Sequence, residues 1–314
     1  SAPSVRIVIV NWNAGRQLRE CLDSLASSSM EGWLLESVVV VDNASTDDSL
    51  AGIGETGLPL RVLTNSVNRG FGAACNQGAR ECRSDYLLFL NPDCRVGTDA
   101  VSTAVNFLEG EDHQGVGVIG VRLVDADGRT WRCCARRPRL ADFLKRASGL
   151  DALFPGLRTH IMREWDHEDS RPVDHVMGSF YLVRRILFER LGGFDERFFV
   201  YLEDLDFSVR AAAQGLGVHY LADACVFHRG GGTSEQARGE RLFYSLRSRL
   251  QYAFKHFGRA GGLAVAFVTL IWEPVPRVLR AVLRRSGRDI RETFHAYGRL
   301  WSWLLRGAKA EWQT

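Results

Sequence analysis

"DYLLFLNPDC", Asp85 to Cys94, is the stretch that decides how this chain folds. Tyr86 to Leu90 form an unbroken apolar run, as expected of a strand buried on both faces in a parallel sheet. Pro92 lacks an N–H and fixes φ, so the strand stops there and the turn is stiff. Asn91 and Asp93, on either side of it, are thereby held at the strand's carboxyl end.

Towards the N-terminus the pattern repeats. "VRIVIVNW", "SVVVVDNAS" and "LRVLTN" read as three more strands. "GRQLRECLDSLASS" carries Leu18, Cys21, Leu22 and Leu25 at helical spacing, and "GFGAACNQGARECR" is a helix opened by glycines. Strands alternating with helices at this interval imply β-α-β units, which bind ligands at the carboxyl ends of the strands. Three of the four strands end in Asn or Asp: Asn11-Trp12-Asn13, Asp42-Asn43 and Asn91-Pro92-Asp93. The fold class is α/β, a Rossmann-like, mostly parallel mixed sheet flanked by helices.

Towards the C-terminus, "HVMGSFYLVRR" reads as a strand running into a turn. "LGGFDERFFVYLEDLDFSVRAAAQG" reads as an aromatic, acidic loop followed by a helix from about Asp204 that Gly215 ends. "VHYLADACVFHRGGG" reads as a short strand pair ending at His228, and "RGERLFYSLRSRLQYAFKHFG" as a long amphipathic helix. We expect one domain over 1–258 and a basic helical extension over 259–314.

The 314 residues, 46% hydrophobic and 25% charged, suit a globular protein and exclude disorder. The net charge of +3 conceals an asymmetry: from Arg277 onward nine Lys/Arg face three Asp/Glu, so the preceding chain sums to −3. A basic tail suits an anionic surface or a solvated helix. In it Ile290, Phe294, Tyr297, Trp301 and Leu304 recur as one apolar stripe, fit for the membrane interface or for a second subunit. The twelve-residue apolar stretch Gly261–Trp272 is expected to be too short to cross a bilayer, which needs about 20 residues. Ser1-Ala2-Pro3 lacks the basic start and apolar run of a signal peptide, and seven scattered cysteines suit a reducing cytoplasm. No nucleic-acid partner is expected.

Several residues can carry chemistry. Asp42 could accept hydrogen bonds from a nucleoside, although taken alone it reads better as the start of a DNAST turn. "NRGFGAACNQG" offers Asn68, Gly70 and Asn76 at a helix start suited to a diphosphate, or glycines that merely allow tight packing. Asn91 and Asp93 supply oxygen ligands of the kind that hold Mg²⁺ or Mn²⁺ jointly with phosphates, or form an ordinary Asn-Pro turn. Glu203, Asp204 and Asp206 crowd a helix start, as a cap or as a base buried among the aromatics of "FDERFFVY". His228 ends an apolar segment before a glycine loop. Arg247 could reach a phosphate or lie on a solvated helix face.

In this order the segments VIVNWN, VVVVDNASTD, NRGFGAACNQG, LLFLNPD, GSFYLVRR, GGFDERFFVYLEDLDFSVR and VFHRGGGTS resemble glycosyltransferase family 2, inverting nucleotide-sugar enzymes with the GT-A fold. Seven segments agree over about residues 5–257. Within the family, the likeness is to bacterial rhamnosyltransferases of cell-wall and surface-polysaccharide assembly. The resemblance implies that Asn11, Trp12, Asn13 and Asp42 line a nucleoside pocket, with Asn68, Gly70, Asn76 and Arg247 near the sugar nucleotide. It implies a divalent cation, Mg²⁺ or Mn²⁺, on Asp93 and His228. Asn91 stands where many relatives carry the first Asp of Asp-x-Asp. Asp204 is the implied base, with Gly178, Glu203 and Asp206 about the acceptor. The implied donor is a nucleotide sugar, dTDP-L-rhamnose favoured over a UDP-hexose. The implied acceptor is a polyprenyl-diphosphate-linked or other glycan at the cytoplasmic face of the plasma membrane. A non-catalytic nucleotide-sugar binder would have no need of the Glu203-Asp204 pair, and a dehydrogenase would carry its glycine fingerprint after the first strand.

Overall fold

Four apolar runs pair in parallel: β1 (Ser4–Asn11), β2 (Leu34–Asp42), β3 (Leu60–Thr64) and β4 (Tyr86–Leu90). The computed structural model describes residues 2–150, 154, 156, 158–230 and 238–311. α1 (Arg16–Ala26) buries Leu18, Cys21, Leu22 and Leu25, the face its spacing predicts, and α2 (Phe71–Ala79) leads into β4.

The chain continues through β5 (Cys94–Val96), α3 (Ala100–Glu109), β6 (Val116–Val124), β7 (Cys134–Ala135), α4 (Leu140–Ser148), β8 (Arg171–Val173), β9 (His175–Val176) and β10 (Phe180–Arg184). α5 (Arg185–Arg190), α6 (Glu203–Ala213) and β11 (Gly217–His228) follow. The nine-stranded sheet has the order β3-β2-β1-β4-β10-β6-β11-β5, with β8 also on β11. β10 runs antiparallel to β4 and β6, so the sheet is mixed, as the GT-A expectation required. The expected strand pair before His228 is instead one strand. Its register against β6 shifts between Leu221 and Cys225, and its last residues pair with β5. Only Asn91-Pro92-Asp93 separates β4 from β5, so this pairing brings His228 to the opening stretch. The sequence shows the apolar content of β11 but not its irregularity.

Two compact units form, one from 1–137, 161–199 and 203–233, the other from 138–160, 200–202 and 234–314. The packing thus differs from a division at 258, because α7 (Arg238–Phe267) and α4 belong with the C-terminal helices. In that second unit α7 breaks at Gly258 (φ 68°) and passes through a π-helical turn, Val268–Trp272, into α8 (Pro274–Leu283). α9 (Gly287–Glu311) packs along α7.

Two expectations for this region are corrected. Pro274 is at the start of α8, where its missing N–H costs nothing, so the helical run does not stop at Glu273-Pro274. The run Gly239–Leu283 includes an 18-residue window of mean hydropathy 1.4 that is only 22% buried, so by length and composition one helix could cross a membrane. The stripe on α9 is also divided. Tyr297 turns inward beside Ala296 and Leu300, while Phe294 and Trp301 stay exposed.

Candidate active site

The carboxyl ends of β1 and β2 meet in register, Asn11 opposite Asp42. Asn11 is fully buried, and its Nδ2 donates to Asp42 Oδ1 (2.8 Å), Ser49 Oγ (2.8 Å) and Ser45 Oγ (3.1 Å). Asp42 Oδ2 accepts from the Ser45 N–H at 3.2 Å, the bond expected of a turn that starts at this residue. Asn13 (φ 52°) accepts from the Thr46 N–H at 2.7 Å, and Trp12 between them is half-buried. These bonds fix the β1 and β2 tips as one rigid polar edge.

Gly70 opens α2 with φ +88°, and a Cβ there would lie 2.4 Å from the Phe199 carbonyl, so only glycine fits. Asn68 Oδ1 accepts from the Gly70 N–H at 2.9 Å. Asn76 is turned away from the expected ligand role. Its amide donates to the Phe194 carbonyl and accepts from the Phe194 N–H, both at 2.8 Å, clamping α2 to the "GGFDERF" loop.

At the end of β4, Asp93 Oδ1 lies 3.4 Å from His228 Nε2. Ser179 ties this pair together: its Oγ is 3.3 Å from His228 Nε2 and accepts from Asn91 Nδ2, also at 3.3 Å. Asn91 therefore reaches the pair through Ser179. A carboxylate oxygen and an imidazole nitrogen converging on one point suit a divalent cation whose remaining ligands come from a bound diphosphate. Cys94 lies within the same cluster, but its thiol donates to the Ser179 carbonyl, and burial pushes its pKa well up. A protonated thiol is no ligand for a hard cation.

A second cluster, Cys133, Cys134 and His167, has the proximity of a metal site without its chemistry. His167 Nε2 accepts from the Cys134 N–H (3.1 Å) and Nδ1 donates to the Trp165 carbonyl (3.0 Å), so no lone pair remains.

The three acids of α6 separate by environment. Asp204 keeps a side chain 16% exposed, with Oδ2 accepting from the Gly178 N–H and Oδ1 from the Leu205 N–H, both at 2.8 Å. A Cβ on Gly178 would crowd Asp204 Oδ2 at 3.0 Å, which explains the glycine. Glu203 is buried, and desolvation with the neighbouring Asp204 charge raises its pKa well above the ordinary carboxylate range. Asp206 has no exposure and pairs with Arg210 at 2.7 Å. Arg210 also donates to the carbonyls of Leu191 and Gly193 at 2.9 Å, so Asp206 braces a loop and is not placed to meet an acceptor. Immediately before α6, Tyr201 and Leu202 both have positive φ, 70° and 69°, a strained entry of the kind found at functional sites.

Sequence reasoning missed Ser179, although it follows Gly178 in the "MGSF" stretch, and it missed His175. His175 Nε2 lies 3.8 Å from Asp204 Oδ2 and Nδ1 lies 3.1 Å from Ser208 Oγ. Burial holds its pKa down against the pull of Asp204, so it faces that carboxylate as a neutral ring. Arg247 belongs to the second unit, its guanidinium over the Trp303 ring at 5.2 Å.

Known proteins resemble this chain in sequence and fold. The family described as "Glycosyl transferase family 2" matches over residues 6–192. The N-acetylglucosaminyl-diphospho-decaprenol L-rhamnosyltransferase of Mycobacterium tuberculosis is 27% identical over 239 residues, covering 71% of this chain and 75% of that protein. Rhamnosyltransferase WbbL of Escherichia coli is 27% identical over 173 residues, covering 55% and 63%. Among solved structures, mannosyltransferase PcManGT of Pyrobaculum calidifontis with GDP-Man and Mn²⁺ matches at TM-score 0.54 and 18% identity, covering 99% of this chain and 81% of that one. S. aureus TarS with UDP-GlcNAc matches at TM-score 0.56 and 17% identity, covering 95% and 80%. At such identities the two structures establish the fold, GT-A.

Proposed function

The chain belongs to glycosyltransferase family 2, and on that premise we propose that it transfers L-rhamnose from dTDP-L-rhamnose, with inversion, to a lipid-linked glycan acceptor. The observation that carries the mechanism is the split between adjacent acids: Glu203 is buried, where desolvation disfavours its charged form, whereas Asp204 is partly exposed and braced by two backbone N–H groups. A carboxylate has lone pairs beyond those two bonds, so Asp204 can accept the acceptor's hydroxyl proton as that oxygen attacks the anomeric carbon. One working base, beside a neighbour whose charged form is disfavoured, supports direct displacement from the face opposite the leaving group.

Asp93 and His228 are the residues that would hold Mg²⁺ or Mn²⁺. Such a cation neutralises charge gathering on the departing diphosphate. The buried polar edge of Asn11, Asp42 and the Ser45 turn fits the nucleoside, because its donors and acceptors are fixed before the ligand arrives. Rhamnose is favoured by the two rhamnosyltransferases, and a lipid-linked acceptor by the decaprenol named in the mycobacterial one. Such an acceptor would place the enzyme on a membrane, at the cytoplasmic face where activated sugars are made.

A donor panel tests this. The purified chain with Mn²⁺ or Mg²⁺ should release dTDP from dTDP-L-rhamnose in preference to nucleotide from UDP-glucose, UDP-GlcNAc or GDP-mannose, and chelation should stop it. Release from a UDP-sugar alone would replace rhamnose with another hexose. Undiminished turnover in chelator would remove the cation.

A further inference from the structure

The second unit contains a cavity of about 390 Å³ lined by five arginines and two carboxylates. One carboxylate is already spent. Glu273 is 3% exposed and bonded by both Arg249 and Arg277, the latter at 2.6 and 2.9 Å. Arg280 on α8 and Arg284 at its C-terminal cap follow Arg277 at i+3 and i+7. Among the described residues neither makes an ion pair, and both are exposed. Like charges gathered around one cavity repel, and a guanidinium fork is shaped to grip phosphate oxygens in pairs.

The segment leading into this cavity has the opposite character. Leu263, Phe267, Ile271, Val275, Leu279 and Leu283 recur every four residues and are 62%, 66%, 55%, 61%, 57% and 75% exposed. At 1.5 Å per residue they make an apolar face about 30 Å long. A monomer seldom leaves such a face in water. α8 therefore presents arginines on one side and bare aliphatic side chains on another, the pattern of a helix lying in a bilayer interface.

We infer that the arginine cavity takes the phosphate head group of an anionic membrane lipid while the apolar face from Leu263 to Leu283 rests in the acyl layer. The inference rests on the membrane part of the proposed function and gives it a site. Charge complementarity selects the occupant: a second copy of this chain would bring the same Arg280 and Arg284, whereas a phosphate-bearing bilayer offers anion and hydrocarbon side by side.

Sedimentation of the whole chain with phosphatidylcholine vesicles, with and without phosphatidylglycerol, tests it at low salt. The wild type should favour the anionic vesicles, and R280Q/R284Q should lower that partition roughly tenfold to thirtyfold. R280K/R284K keeps the charge and loses the fork, so it should fall between the two; it also serves if the glutamine pair folds poorly. L279S/L283S should lose vesicle binding of both kinds. A lysine pair that sediments like the wild type would reduce the cavity to diffuse charge and sink the inference. So would equal binding to both vesicle types, or titration showing tight inorganic pyrophosphate binding without any vesicle enrichment. Turnover of dTDP-L-rhamnose is read in the same preparations. A chain that binds anionic vesicles through these arginines yet ignores that donor overturns the donor alone.

Discussion

Asn11, Asp42 and Asp206 lie buried in the sheet unit, whereas Phe267, Leu279 and Leu283 stand more than half exposed in the helical unit. Both sets depart from apolar-inside packing, in opposite directions. Burying a polar group is costly unless it is hydrogen-bonded, and the sheet unit answers with a dense set of bonds at its strand tips. Exposing a large apolar patch is costly unless something covers it, and the helical unit shows no cover among the described residues. The first departure is met inside the chain, with Asn11 Oδ1 the one atom of these three side chains left without a partner, and makes a rigid site. The second is left for a surface outside the chain.

The sharpest way to test the rigid half is D204N. It should leave the dTDP affinity and melting temperature close to wild type and cut turnover about a thousandfold, within the range for losing a general base. A well-folded D204N enzyme at full speed would move the base elsewhere. D206A should behave oppositely, sparing the chemistry and weakening the fold. Removing one partner of a buried pair costs about 3–5 kcal/mol, read by chemical denaturation, because Arg210 is left beside an empty site.

E203Q separates the two adjacent acids. Glu203 has a raised folded pKa, so the folded chain keeps a proton that the unfolded chain releases above the ordinary glutamate value of 4.5. Wild-type stability should therefore fall as pH rises above that value, by up to about 1.4 kcal/mol per pH unit, until the folded group ionises. The glutamine variant, permanently neutral, should lack this slope. Parallel pH profiles would mean that Glu203 is ionised in the fold. The smallest effect belongs to the exposed face: F267S should change stability by no more than about 0.5 kcal/mol, since that ring is 66% exposed and loses little packing. A larger loss would show that Phe267 is covered.

Legibility followed distance along the chain. The parallel strands were readable because strands buried on both faces must be continuously apolar, and their polar tips because Asn and Asp interrupt those runs. The helix start around Asp204 was readable through its local run of acids. Asn76 was misread as a ligand because its partner Phe194 lies 118 positions away. Asp206 was misread because three acids in four residues look alike until burial separates them.

By itself, then, the sequence determined which segments become strands and helices, that their tips are polar, and that the tail is basic, because these depend on period, composition and local turns. Only the tertiary structure decided that Ser179 joins Asn91 to His228, that Glu203 is buried beside a more accessible Asp204, and which faces of α8 and α9 remain bare. Those are properties of contact and desolvation, and they exist only once distant segments have displaced the water between them.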